Sequence, residues 1–405
     1  MRHDHLPPSS TTAAAIPSLY IILTTTFFTL LLILTLTTAP RSPSFHTHQN
    51  DQNDQNTTTA LSPPPPPSLA YLISGSINNS GPMISLFLSI YHPRNQYLLQ
   101  LDRSANQTER DALEITVQSL LGASKNVRVI GMEDYVFSSG PSALSSTLQG
   151  ASVLLRLSDH WDWFINLSAS DYPLVTQDDL LHILSYLPRD VNFVNHTSYI
   201  GWRESWKLKG IIVDSALFLA DDSETFYATQ KRHLPDAFRP FTGSSVAILI
   251  LKFIEFCIMG FNNLPRTLLM YLSNTALSTS VYFPTVLCNS RQFKGTLINH
   301  SLHYASPNLL NSSNFDELIK TGAAFASPFA LDDPVLDRID QELLQRNPGK
   351  PVPGGWCLGE SSEDQCGVCG ETDVLKPSPG AKRLEKLLVE VLSSEATQSH
   401  QCVDK

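Results

Sequence analysis

From residue 69 onward, apolar blocks alternate with turn residues. Leu69-Ala-Tyr-Leu-Ile-Ser-Gly75 is an apolar run closed by glycine, and Gln96-Tyr-Leu-Leu-Gln-Leu-Asp102 is one closed by a carboxylate; both predict buried strands. The apolar stretch from Ile84 to His92 lies between them. Glu109 to Ala123 then carries Leu113, Val117 and Leu120 at helical spacing. Val127 to Ile130 predicts a third strand, Ser142 to Leu157 sets Leu144, Leu148, Ala151 and Leu155 on one helical face, and Trp163 to Leu167 predicts a fourth strand. Strands alternating with helices imply an α/β fold with right-handed crossovers and a mainly parallel sheet, whose ligands collect beyond the carboxyl ends of the strands. Asp102 and Asp171 fall at such ends, where a carboxylate accepts hydrogen bonds from ribose hydroxyls or a base N–H. The same spacing suits a helix cap at Asp102, and Tyr172-Pro173 suits a turn at Asp171.

Before this domain the pattern changes. Leu19 to Ala39 has no charged residue over 21 positions, about 30 Å as a helix, which is the thickness of a bilayer core. An 18-residue head favours an uncleaved signal anchor over a cleaved signal peptide, whose apolar region is shorter. Asp51 and Asp54 follow the span, so the positive-inside rule puts the bulk of the chain in the lumen. Residues 40 to 68, with Pro63 to Pro67 in a row among polar residues, read as an extended stem. The expected layout is a cytoplasmic tail over 1–18, an anchor over 19–39, a stem over 40–68 and a lumenal domain over 69–405, that of a single-pass type II membrane protein.

Charge narrows the partners. With 38 acidic against 28 basic residues the net charge is -10, and no basic run offers a nucleic-acid site. Only 16% of residues are charged, below the ~25% usual in soluble domains, so uncharged polar groups cover the surface. Asn-x-Ser/Thr acceptors at Asn56, Asn78, Asn106, Asn166, Asn195, Asn299 and Asn311 fit a glycosylated secretory chain.

Asp162-Trp-Phe-Ile-Asn-Leu-Ser-Ala-Ser-Asp-Tyr-Pro-Leu-Val-Thr-Gln-Asp-Asp-Leu180 resembles the signature of the Core-2/I-branching glycosyltransferases, in their plant beta-glucuronosyltransferase-like branch. Tyr91-His-Pro-Arg-Asn95, Phe241-Thr-Gly-Ser244, Asn263-Leu-Pro-Arg-Thr-Leu-Leu269, Gly354-Gly-Trp-Cys357 and Pro379-Gly-Ala-Lys-Arg-Leu384 are similar in the same order, so the resemblance runs over about 69 to 390. It implies a GT-A-like fold in the Golgi membrane that binds a UDP-sugar without a metal. It also implies inverting transfer of glucuronic acid to the galactan chains of arabinogalactan proteins. Asp221-Asp222 and Asp332-Asp333 are not DxD metal motifs, and the second pair begins a helix.

The same resemblance exposes departures. The family's glutamate base lies in Ser-Pro-Glu-Gly-Tyr-Phe, which here is Ser278-Thr-Ser-Val-Tyr-Phe283, so Ser280 occupies the base position. Its Phe-Ala-Arg-Lys-Phe is here Phe325-Ala-Ser-Pro-Phe329, and neither Ser327 nor Pro328 neutralises a diphosphate. Its Asn-His-Asp-Leu-His is Asn299-His-Ser-Leu-His303. His300 and His303 remain as replacement bases, and Arg266 and Lys320 as replacement cations. Two expectations follow: an active transferase, or a catalytically impaired homologue that binds nucleotide sugar, glycan or an active relative in a hetero-oligomer.

Trp202-Arg-Glu-Ser-Trp-Lys-Leu-Lys209 resembles the family segment ahead of its acceptor region, which makes Trp202 and Lys207 acceptor-binding candidates; an ordinary charged surface loop fits as well. The resemblance also implies disulfides at Cys257 and Cys288 and at Cys357 with Cys366, leaving Cys369 and Cys402 over. Cys366-Gly-Val-Cys369, with no second pair or histidine ligands, reads as a structural bridge rather than a metal or redox motif.

Overall fold

A computed structural model describes residues 65–121, 125–132, 134–218, 224–330, 333–359, 366–394 and 402. The predicted anchor, nearly all of the stem and the acceptor Asn56 lie outside these residues. Among the described residues no helix is long and apolar enough to cross a membrane.

The four predicted strands form within a residue or two of expectation: β1 (Leu69–Gly75), β2 (Gln96–Leu101), β3 (Val127–Gly131) and β4 (Trp163–Ser168). They pair in parallel in the order β3-β2-β1-β4. Their near-continuous apolar runs are explained by helices covering both faces; Leu69 to Ile73 are fully buried. Helix Ser80–Ser89 follows β1, Gln107–Leu121 follows β2 and Pro141–Leu157 follows β3, so a helix crosses over to each next parallel strand, the last carrying the chain from β3 past β2 and β1 to β4. Leu113 and Val117 face the core as predicted, whereas Leu120 is exposed on the last turn of its helix.

Four short strands follow in the chain: β5 (Tyr172–Pro173), β6 (Asn192–Phe193), β7 (His196–Thr197) and β8 (Gly210–Asp214). After them come β9 (Thr225–Lys231), β10 (Thr242–Gly243), β11 (Ile248–Ile250), β12 (Leu297–Ile298), β13 (His303–Leu310) and β14 (Phe325–Phe329). The central sheet extends past β4 through β11, β6 and β12 to seven strands. Of these β11 runs antiparallel to its neighbours, so the sheet is mainly but not wholly parallel. A second sheet, β13-β14-β5, stands against the carboxyl ends of the first and has its own core of Leu310, Phe315, Phe329, Val335 and Ile339.

The tail of the domain is strapped to helix Gln177–Ser185. Asp178 Oδ2 accepts Gly355 N at 2.7 Å and Lys376 N at 2.6 Å, and Asp179 accepts the Ser378 amide and hydroxyl while closing a capping box with Thr176. These two buried carboxylates hold distant backbone in place. At the other end, Pro66 and Pro67 of the predicted stem are buried, and Pro67 O accepts Arg94 Nε at 3.0 Å. The globular unit therefore takes in the last residues of the stem.

Candidate active site

The strand order 3-2-1-4 reverses direction between β1 and β4, and a cleft of about 520 Å³ opens at that switch point. Three loops build its floor. After β1, Ser76 donates its amide and hydroxyl to Asn79 Oδ1; a Cβ at Gly75 would stand 2.4 Å from Met83 Sδ, so only glycine permits this turn without repacking. After β2, Asp102 enters the cleft while its Oδ1 accepts the Ser104 amide and hydroxyl. Asp102 is therefore not the helix cap its spacing suited, because that helix starts at Gln107 and Asn106 Oδ1 accepts Glu109 N; Asp102 closes a local turn at the border of the cleft. After β4, Asp171 Oδ2 accepts the Ser168 amide at 2.6 Å and hydroxyl at 2.7 Å, the turn predicted for it.

The second sheet supplies the wall. Pairing of Phe325 with Pro173 and Ala326 with Tyr172 brings Ser327 and Pro328, joined by a cis peptide, to the Asp171 loop. His303, at the head of β13, sets Nε2 2.8 Å from Asp171 Oδ1 and 3.0 Å from Ser327 Oγ. The carboxylate requires a proton on Nε2, and the other ring nitrogen, Nδ1, is buried with no hydrogen-bond partner among the described residues. Burial raises the Asp171 carboxyl, but the hydrogen bond and charge of His303 and the two Ser168 donors outweigh it and leave it below the usual carboxylate range.

Of the other predicted residues, fewer reach the cleft. Ser280 does not line it; Thr279, one position earlier on helix Ser278–Asn289, does. A helix turns about 100° per residue, so the side chain next to the expected one points elsewhere. His300 is half-buried and outside the cleft, its Nδ1 accepts Leu302 N, and burial lowers its pKa. Arg266 and Lys320 are exposed on helices away from the lining. Trp202 and Lys207 are exposed on helix Trp202–Lys209 and do not border the cleft. Among the described residues no lysine or arginine lines it; its polar surface is largely serine hydroxyls, with Asp102, Asp171 and His303 as the ionisable groups.

The acceptors divide by position, and one disulfide expectation is corrected. Asn166 is half-buried on central strand β4 at the cleft, its Nδ2 donating to Ser245 O at 2.8 Å and its Oδ1 accepting Ala247 N at 3.2 Å. A glycan on that nitrogen would leave it one N–H for Ser245 O and would have to leave through the cleft. Asn78, Asn106, Asn195 and Asn311 are exposed, and Asn299 is half-buried with its Oδ1 accepting His196 N. Cys257 is not in a disulfide. Cys288 pairs with Cys402 across 114 positions, and Cys357 pairs with Cys366 as expected. Cys257 stays a free thiol, because its helix turns it against the Tyr282 hydroxyl while the chain end returns to Cys288.

Asn166 and Thr279 were not singled out as cleft residues from sequence. An asparagine inside the apolar strand Trp-Phe-Ile-Asn-Leu was the available signal for the first; nothing local marked the second. The family model for Core-2/I-branching enzymes matches residues 69–314. The chain belongs to that family. Within the Core-2/I-branching family it is 47% identical over 345 residues to beta-glucuronosyltransferase GlcAT14A of Arabidopsis thaliana, covering 82% of this chain and 77% of that one. It is 44% identical to GlcAT14C of the same plant, over 82% and 84%. Human xylosyltransferase 1 is 31% identical over 224 residues, 55% of this chain and 22% of that protein. The solved galactosyltransferase LgtC, in complex with donor and acceptor sugar analogues, overlaps at a TM-score of 0.34 with 12% identity, over 82% of this chain and 99% of that one. An overlap so loose decides nothing about the site.

Proposed function

We propose that this chain is a GT-A-like transferase that takes UDP-glucuronate into the cleft at the β1–β4 switch point and passes glucuronic acid to β-galactan chains of arabinogalactan proteins. The observation that carries this is the 47% identity to a beta-glucuronosyltransferase over four-fifths of the chain. Asp102 and the hydroxyls around it meet the nucleoside, and the transfer inverts the anomeric carbon without a resident metal. Trp202 and Lys207 hold the acceptor from outside the cleft. His303, oriented by Asp171, takes the acceptor proton at Nδ1 once that nitrogen is uncovered. The protein works as a Golgi type II membrane protein, anchored by residues 19–39 with the cleft in the lumen.

A second reading, an impaired homologue that binds sugar nucleotide or an active relative without turnover, is favoured by the absence of Lys and Arg from the described lining. A departing diphosphate develops charge that hydroxyls stabilise less well than cations. The experiment is UDP release and glucuronic acid transfer to a β-galactan oligosaccharide, run beside UDP calorimetry on the same protein. Equimolar release and transfer, lost in His303→Ala, supports the transferase. Binding without release supports the second reading, and neither binding nor release rejects the transferase and any nucleotide-binding role.

A further inference from the structure

Three cysteines meet on one surface turn near the end of the domain. Cys357 is disulfide-bonded to Cys366, and Cys369 is a free, exposed thiol. Cys357 and Cys369 also face each other as an isolated antiparallel bridge. Leu358 N donates to Val368 O at 2.9 Å and Gly370 N to Trp356 O at 2.6 Å. These bonds flank the two cysteines and do not join them, which makes 357 and 369 a non-hydrogen-bonded pair. Cα atoms of such a pair stand about 4.5 Å apart with their side chains close together. That separation falls inside the ~4.4–6.8 Å a disulfide spans. The backbone thus offers Cys357 a second partner without moving.

We propose that Cys357 exchanges its disulfide between Cys366 and Cys369, making this turn a thiol–disulfide exchange site with two settings. Cys369 gives its proton to water, and its thiolate attacks Sγ of Cys357. The Cys357–Cys366 bond breaks as the Cys357–Cys369 bond forms, and Cys366 leaves as a thiolate that takes up a proton. One disulfide and one thiol stand on each side, so no oxidant or reductant is consumed. Cys257, the other free thiol, takes no part, because burial raises it far above the range where a thiolate forms.

The turn keeps its place in both settings. Trp356 meets Tyr91 edge-on at 5.6 Å and His92 at 6.1 Å, and Gly355 N holds Asp178, none of it through sulfur. What changes is the thiol offered to solvent: exposed Cys369 in one setting, half-buried Cys366 in the other.

The test is disulfide mapping by mass spectrometry on the full chain, alkylated under native conditions after equilibration in a glutathione redox buffer. In wild type, alkylation is expected on Cys366 and on Cys369 in fractions that sum to one. Cys366→Ser is expected to yield the Cys357–Cys369 peptide and no alkylation at either cysteine. Alkylation of wild type on Cys369 alone overturns the proposal, as does alkylation of both Cys357 and Cys369 in Cys366→Ser. The wild-type measurement needs no substitution, so a variant that fails to fold leaves the answer intact.

Discussion

His303 Nε2 donates to Asp171 Oδ1 at 2.8 Å, joining residues 132 positions apart inside the cleft. With Ser168 on the other oxygen, the Asp171 carboxylate is committed to the protein on both sides. It fixes the imidazole and the turn that carries it, and any ligand meets Asp171 already engaged.

Replacing that charge has a pH signature. The folded-state carboxyl lies below its unfolded value, so its contribution is complete above about pH 3.9 and is lost as pH falls through the lower folded value. Asp171→Asn is expected to cost about 1–3 kcal/mol at pH 7 and progressively less as pH falls below about 3.9, read from urea midpoints at pH 7 and at pH 3. An equal gap at the two pH values would place the stabilisation elsewhere.

Charge in the cleft is the second target. Ser327→Arg places a guanidinium beside the imidazole, and a charge-assisted bond of about 1.5–3 kcal/mol is expected to tighten UDP at least tenfold by calorimetry, less so at high salt. In that background, with His303→Ala removing the proposed base, Thr279→Glu is expected to raise glucuronic acid transfer by ~10²-fold or more, since residue 279 lines the cleft, and Ser280→Glu to raise it less. The reverse order would show that the base enters from the neighbouring face of the helix.

Glycan occupancy separates exposed acceptors from the sheet. When the chain is secreted, peptide mapping is expected to find glycan at Asn78, Asn106, Asn195 or Asn311 and none at Asn166, which sits half-buried on β4 with its side chain bonded to Ser245 O and Ala247 N. Occupied Asn166 in folded protein would contradict the β4 placement.

The long disulfide is expected to matter for stability. Cys402→Ser opens a link across 114 positions, with a loss of up to about 5 kcal/mol by chain entropy, seen as a lower urea midpoint and reproduced by reductant. Cys257→Ala is expected to leave the number of disulfides unchanged by intact mass. A Cys257 variant that also frees Cys288 would restore the pairing expected from resemblance.

Sequence alone determined the parts that are local. Apolar runs closed by Gly75 and Asp102, and the run from Trp163 to Leu167, marked strands, helical spacing marked the crossovers, and together these located a cleft at the carboxyl ends. Each signal is a backbone period or a turn residue, written in consecutive positions. The tertiary structure decided what meets across distance: His303 with Asp171, Cys402 with Cys288, and Thr279 rather than Ser280 at the cleft. Sheet register and helix rotation set those meetings, and no local period encodes the register between strands more than a hundred residues apart. The same holds for Asn166, an acceptor by its tripeptide and a cleft residue by its strand.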